Sequence, residues 1–370
     1  MKIPFIDILR YEPGFLNTVT ETTAELIKTG QFVGGSIVQK FESELKDYTQ
    51  TQFALGCANG TDAIQLALRA AGVEKNDAVL IPDMTFWATF EAVVNVGATP
   101  YTIDVSKESL HLTLASVAEG IERFKPKAII LVHLYGWACP ETLEIRKLCL
   151  EKGVLLIEDC AQAIGTEIKG ESLLKNAQVA TTSFYPAKVL GASGDAGAVF
   201  TNDAQIAKRT QQLINHGRTD HYEHGLVGWN SRLGAYEANF LSHSLKHLDT
   251  RLDGRRKVCE LYRQKIKNPL LKFMAPAATT KENGYLSVAV MEATERSTFI
   301  DYLKAQNIGY GTVYPGAMSD QSGANGFLGG KISHGHSRWI AQSIINLPCF
   351  ASMTEAETNY VIEKVNAYRN

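Results

Sequence analysis

Residues 128–159 read AIILVHLYGWACPETLEIRKLCLEKGVLLIED: an apolar run, a segment with helical periodicity, then a second apolar run that closes on two carboxylates. Short runs of Ile, Leu and Val without polar alternation suit strands buried on both faces, and such strands lie in parallel sheets covered by helices. Pro140 stands at a favoured first helical position and Gly153 closes the helix. The unit is strand, helix, strand, and it repeats in both directions. AVLIP (78–82), TPYTIDV (99–105) and the run from Val179 to Tyr185 read as strands. DAIQLALRAAG (62–72), with Thr61 or Asp62 as N-cap and Gly72 as terminator, and WATFEAVVNVG (87–97), closed by Gly97, read as helices. This alternation predicts an α/β fold with a mainly parallel sheet flanked by helices.

The chain has 370 residues, more than one core comfortably serves, so two domains are expected. The composition changes at SLKHLDTRLDGRRKVCELYRQKI (244–266), a charged helical pattern with no buried strand beside it. The boundary is placed there: residues 1–245 form a large domain, with residues 1 to about 30 free to pack elsewhere, and 246–370 a small α+β domain. Within the latter, YLSVAVME (285–292) and IGYGTVY (308–314) read as strands, and RSTFIDYLKAQN (296–307) and EAETNYVIEKVNAY (355–368) as helices. A net charge of -2 gives no basic footprint for nucleic acid or an acidic membrane. The start, MKIPFIDILRYEPG, carries no signal-peptide pattern and no stretch suits a membrane span, so a cytoplasmic protein is expected. Six scattered cysteines without CxxC or zinc spacing read as reduced, buried thiols.

In open parallel sheets the ligand sits at the carboxyl ends of the strands, so what each strand delivers there is decisive. The first leads into CANGTDA, where Gly60 permits a tight turn and the amides of Thr61, Asp62 and Ala63 open a helix, a setting for an anion such as phosphate. VLLIED delivers Asp159, a carboxylate that is costly to bury unless it meets a cation or several donors, followed by Gln162. The next strand delivers Ser183 and then Lys188, set among small residues where desolvation favours the neutral, nucleophilic amine. Amine, carboxylate, hydroxyl and anion pocket together are what pyridoxal phosphate needs, and Phe86 or Trp87 would cover its ring. GxGxxG and GxxxxGK[ST] motifs are missing, and the loop NHGRTDHYEHG, with His216, His221 and His224, reads as the border of the site mouth and not as a metal site.

ANGTDAIQLAL, IPDMTFWAT, IEDCAQAIG, TTSFYPAKVLGASGDAGAVFTN, NHGR and GWNSRL, in that order, resemble the DegT/DnrJ/StrS family of sugar aminotransferases over nearly the whole chain. The resemblance implies the fold type I architecture of the aspartate aminotransferase superfamily, with a seven-stranded sheet, and pyridoxal 5′-phosphate as cofactor. It makes Lys188 the lysine that carries the cofactor as an imine, Asp159 the partner of the pyridine nitrogen, Gln162 the residue at the ring hydroxyl and Phe86 the stacked aromatic. Gly60, Thr61, Asp62 and Ser183 match the phosphate site, and Asn230 an asparagine reaching the phosphate of a neighbouring subunit, which implies a homodimer. Tyr185, His216, Arg218 and Tyr314 lie where substrate contacts are expected. The reaction implied is transfer of the amino group of L-glutamate to a nucleotide-linked keto sugar, with GDAGA after the lysine leaning towards amination at C3. Amination of a cyclitol and a non-catalytic regulatory role are the alternatives; a dehydratase is disfavoured because the lysine is kept. Three departures stand out: Val189 where asparagine is frequent, Gly234 where an acidic residue is common, and YPGAMSDQ (314–321) where many relatives read YPVPLHxQ with a histidine.

Overall fold

A computed structural model describes residues 1–369. Its main sheet has eight strands in the order Phe53–Cys57, Gly197–Thr201, Val179–Ser183, Leu155–Asp159, Ala128–Val132, Ala78–Pro82, Thr99–Ile103 and Gly330–Ile332. Neighbours pair in parallel except at Gly197–Thr201, which runs antiparallel to both of its partners. The sheet therefore carries one strand more than the seven expected, and the eighth, Gly330–Ile332, arrives from beyond residue 246. Its sequence, GKI, is too short and polar to announce a strand. What places it is the ladder to Thr99–Ile103 and Gly329, where a Cβ would overlap the Tyr101 ring.

The apolar runs become strands because both faces are covered: every residue of Ala128–Val132 is buried. Helices Gly60–Ala70, Trp87–Asn95, Leu114–Phe124, Thr142–Lys152 and Ala204–Ile214 connect or cover the strands. Two of their starts differ from the sequence reading. Asn59, not Thr61 or Asp62, caps the first, its side chain accepting from Asp62 N, because its extended backbone leaves the amide oxygen over the first turn. Thr142, not Pro140, opens the fourth, since Thr142 N is drawn back to the carbonyl of Cys139.

A second sheet pairs Lys272–Phe273, Ser287–Val290 and Ile344–Leu347 antiparallel, and helices Leu248–Lys265, Ala293–Ala305 and Glu355–Ala367 give buried side chains to its core. Ile3 lies in that core as well, bonded on both sides to the chain at Asn307 and Gly309. The expected strand IGYGTVY does not form. A Cβ on Gly309 would overlap the Phe5 backbone and one on Gly311 would stand 2.5 Å from the Phe5 ring, so this stretch receives the N-terminal segment and pairs only at isolated bridges. Helices Phe15–Thr29 and Gly35–Thr49 pack on Ala235–Leu245. All six cysteines are free and buried. Among the described residues no helix is long and apolar enough to cross a membrane.

Candidate active site

A cavity of about 700 Å³ opens at the carboxyl ends of the parallel strands. Gly60, Thr61, Asp62, Phe86, Asp159, Gln162, Ser183, Tyr185, Lys188 and Tyr314 line it. Of the residues singled out in the sequence, Asn230, His216 and Arg218 lie elsewhere, exposed on a hairpin tied by the bridges Asn215 to Asn230 and Arg218 to His224.

Asp159 closes its strand at the cavity floor and is 5% exposed. Burial raises its pKa, opposed by the amide of Ala161 (3.0 Å), the charge of Lys188 and the hydroxyl of Thr89 (3.3 Å). Thr89 is in turn bonded to Thr85 at 2.8 Å. Such a carboxylate is held ready for a cationic donor. Glu158, the preceding residue, points to the other face of the strand. There it takes a bidentate contact from Arg146 (2.8 and 2.9 Å) and one from His133 Nε2 (3.0 Å). His133 Nδ1 accepts from Cys139 N, which fixes the tautomer with the proton on Nε2.

Lys188 follows the turn after Val179–Ser183, its N–H bonded to Tyr185 O, and its Nζ lies 5.2 Å from the centroid of the Tyr285 ring. Gln162 Oε1 accepts from Tyr135 N (2.6 Å) while its Nε2 donates to Tyr314 Oη (2.8 Å), whose ring lies 5.7 Å from that of Phe86. Phe86 is 56% exposed, so it presents a free face, whereas Trp87 turns inward onto Phe90 at 4.9 Å.

At the far end the helix Gly60–Ala70 begins. Asn59 takes the amide of Asp62 and its carbonyl that of Ala63, leaving those of Gly60 and Thr61 for an anion. A Cβ on Gly60 would stand 2.6 Å from Ser183 Cβ, and one on Gly197 would overlap Asn59 O, so both glycines are required for the loop to lie against the strand ends. Asp62 does not offer its carboxylate to the anion. Its Oδ2 accepts from buried Ser231 Oγ (2.6 Å), which ties the segment holding Asn230 to this helix.

Asn59, Thr85, His133 and Tyr285 also line the cavity and Thr89 bonds Asp159, although no pattern in the sequence singles these five out. Tyr285 was legible only through tertiary contacts: its N–H bonds Asn283 Oδ1, and Asn283 Nδ2 bonds the carbonyls of Gln162 and Ile164. The three departures are also placed. Val189 is buried in the core, Ser319 lies outside the cavity wall, and Gly234 leaves room for the Glu237 carboxylate, which a side chain there would overlap.

The residues present fit pyridoxal phosphate: an amine and a buried carboxylate on one cavity, an exposed aromatic face, and a glycine-walled helix start beside a hydroxyl. A mainly parallel sheet that delivers these groups at its strand ends defines a pyridoxal-phosphate enzyme of fold type I. The chain belongs to the DegT/DnrJ/EryC1/StrS aminotransferase family, whose model matches residues 16–366. It is 32% identical over 366 residues, 99% of each chain, to the dTDP-3-amino-3,6-dideoxy-alpha-D-galactopyranose transaminase of Aneurinibacillus thermoaerophilus. It is 30% identical over 368 residues, 99% of this chain and 98% of the other, to a "Pleiotropic regulatory protein" of Geobacillus stearothermophilus. Over the full length of both chains it superposes with a TM-score of 0.94 and 29% identity on S. venezuelae DesV, crystallised in complex with a ketimine intermediate. The enzyme is thus a transaminase whose cofactor is pyridoxal 5′-phosphate.

Proposed function

We propose that this transaminase moves the amino group of L-glutamate to a nucleotide-linked keto sugar of the 3-keto-6-deoxy type, releasing 2-oxoglutarate. The product is an amino sugar for surface polysaccharide or natural-product glycosylation. The observation that carries the reading is the placement of Lys188 and Asp159 on one cavity large enough for a sugar beside a cofactor. The names of relatives that act on dTDP-linked amino sugars support the acceptor class.

Pyridoxal phosphate supplies an electron sink for charge that develops on the substrate carbon. The chain's own groups divide the remaining work. Lys188 Nζ would hold the cofactor and, as a free amine, would move the proton at the substrate carbon. Asp159, a buried carboxylate, would accept from the ring nitrogen and favour its protonated form. Gln162 orients the ring hydroxyl and Phe86 covers the ring face. Gly60, Thr61 and Ser183 hold the phosphate, and Asp62 acts through Ser231. Tyr185 and Tyr314 border the sugar. His216, Arg218 and Asn230, exposed on their hairpin, serve the active site of a second copy, so the enzyme works as a homodimer; we place it in the cytoplasm.

The test is spectroscopic. Purified protein should absorb as a lysine-bound cofactor, lose that band on addition of L-glutamate, and regain it with a nucleotide-linked 3-keto sugar but not with a free keto-cyclitol. A band that ignores glutamate would make the protein a regulatory homologue instead.

A further inference from the structure

Asp83, the first residue past the strand Ala78–Pro82, is 1% exposed and does not line the cavity. Its carboxylate takes both donors of one distant residue: Oδ1 accepts from Ser319 N at 2.7 Å and Oδ2 from Ser319 Oγ at 3.0 Å. Its carbonyl accepts from Met318 N at 2.7 Å, and its own N–H donates to Ile103 O. Near this junction, a Cβ on Gly323 would stand 2.9 Å from the Trp87 ring, so the incoming segment sits flush on the start of the next helix. The two strips of chain joined here both reach the cavity. Asp83 leads to Thr85 and Phe86, and Ser319 follows Val313 and Tyr314, whose hydroxyl meets Gln162 and whose ring faces Phe86.

We propose that Asp83 is a positioning residue for the acceptor: through Ser319 it holds the wall that carries Tyr314 against the wall that carries Phe86. This rests on the reading that the cavity takes a keto sugar after the amino donor. The sugar nucleotide is much the larger of the two ligands, so a loosened wall costs the acceptor more than glutamate. Burial raises the Asp83 pKa to about 6 in spite of Ser319, which leaves both oxygens free to accept at neutral pH. Asp104 supplies an internal control. It too is buried outside the cavity and receives Ser337 Oγ and the amides of His334, His336 and Ser337, but the helix that it anchors, His336–Ser343, contributes no residue to the cavity.

The experiment compares Ser319→Ala, Asp83→Ala, Asp83→Asn and Asp104→Asn in the purified holoenzyme. Two readouts serve: amide hydrogen exchange over residues 313–324, and the two half-reactions followed separately. Removing charged hydrogen bonds of this kind should raise KM for the keto sugar about tenfold while the glutamate half-reaction changes by less than about twofold. Exchange at Met318 and Ser319 should quicken in Ser319→Ala and Asp83→Ala. Asp83→Asn, which keeps one acceptor, should restore part of both effects, and Asp104→Asn should not produce the KM split. Unchanged exchange, an unchanged KM, or equal loss in both half-reactions overturns the proposal. Should Asp83→Ala fail to fold, Ser319→Ala decides. A wild-type enzyme that completes the glutamate step but aminates none of the keto sugars refutes the acceptor reading, and the exchange data then still decide whether Asp83 holds the wall.

Discussion

Asp159 and Lys188 share a cavity but face opposite demands. In the proposed reaction the carboxylate has to stay charged although burial opposes it, while Lys188 has to act as a nucleophile. Replacing Asp159 by Ala should therefore lower transamination by about a hundredfold or more while the cofactor still binds. Single-turnover absorbance with glutamate reports both. Lys188→Ala should abolish the step and the borohydride-stable attachment of cofactor; a variant that transaminates like wild type would sink the assignment. Away from the site, His111 is a buried group with an acid liability. Its Nδ1 donates to Ser109 O (2.7 Å) and its Nε2 accepts from Leu134 N (3.1 Å), so it is held neutral, and burial lowers its pKa from 6.5 to about 4. The folded state then binds fewer protons than the unfolded chain in that window. Stability from His111 is complete above pH 6.5 and is lost as the pH falls towards about 4, a loss of about 3 kcal/mol. Urea denaturation between pH 7 and pH 4 should show a shallower acid loss for His111→Gln, whose amide can make both bonds.

At the scale of elements, the start of the helix Gly60–Ala70 concentrates the design. The helix needs a cap, its first amides must stay available, and its loop must touch the strand Val179–Ser183. Asn59→Ala should destabilise the protein by about 0.5–2 kcal/mol through the lost cap. Gly60→Ala should do something different. The added methyl meets Ser183, pushes the loop off the strand, and should weaken cofactor binding more than stability, as equilibrium dialysis against chemical denaturation would show. The helix itself was legible from periodicity. Its cap was not, because Asn59, Thr61 and Asp62 are all competent capping residues and only the backbone direction after Cys57 selects among them.

For the molecule as a whole, the proposed dimer makes a prediction that no single chain can satisfy. If Asn230 serves the neighbour's site, Lys188→Ala and Asn230→Ala enzymes, each impaired alone, should complement when their subunits are mixed. Random exchange would restore about a quarter of wild-type sites, since half the dimers are mixed and each mixed dimer has one intact site. A mixture no more active than its parts would place Asn230 in its own chain's service. The two-part organisation is also less divided than the change in composition near residue 246 suggests: Ile3 packs in the C-terminal core, and Gly330–Ile332 completes the main sheet.

The alternation of strands and helices, the family, and the groups delivered at the strand ends are all legible in the sequence. Each of these is a local pattern: a run of apolar residues, a period of side chains, a polar residue that closes a buried strand. Long-range packing alone brings Gly330–Ile332 into the main sheet, gives IGYGTVY over to the N-terminal segment, sets Tyr285 beside Lys188 and fastens Ser319 to Asp83. These pairings join residues far apart in the chain through ladders, glycine clearances and single hydrogen bonds. Their energy depends on which surfaces meet and leaves no period in the sequence to read.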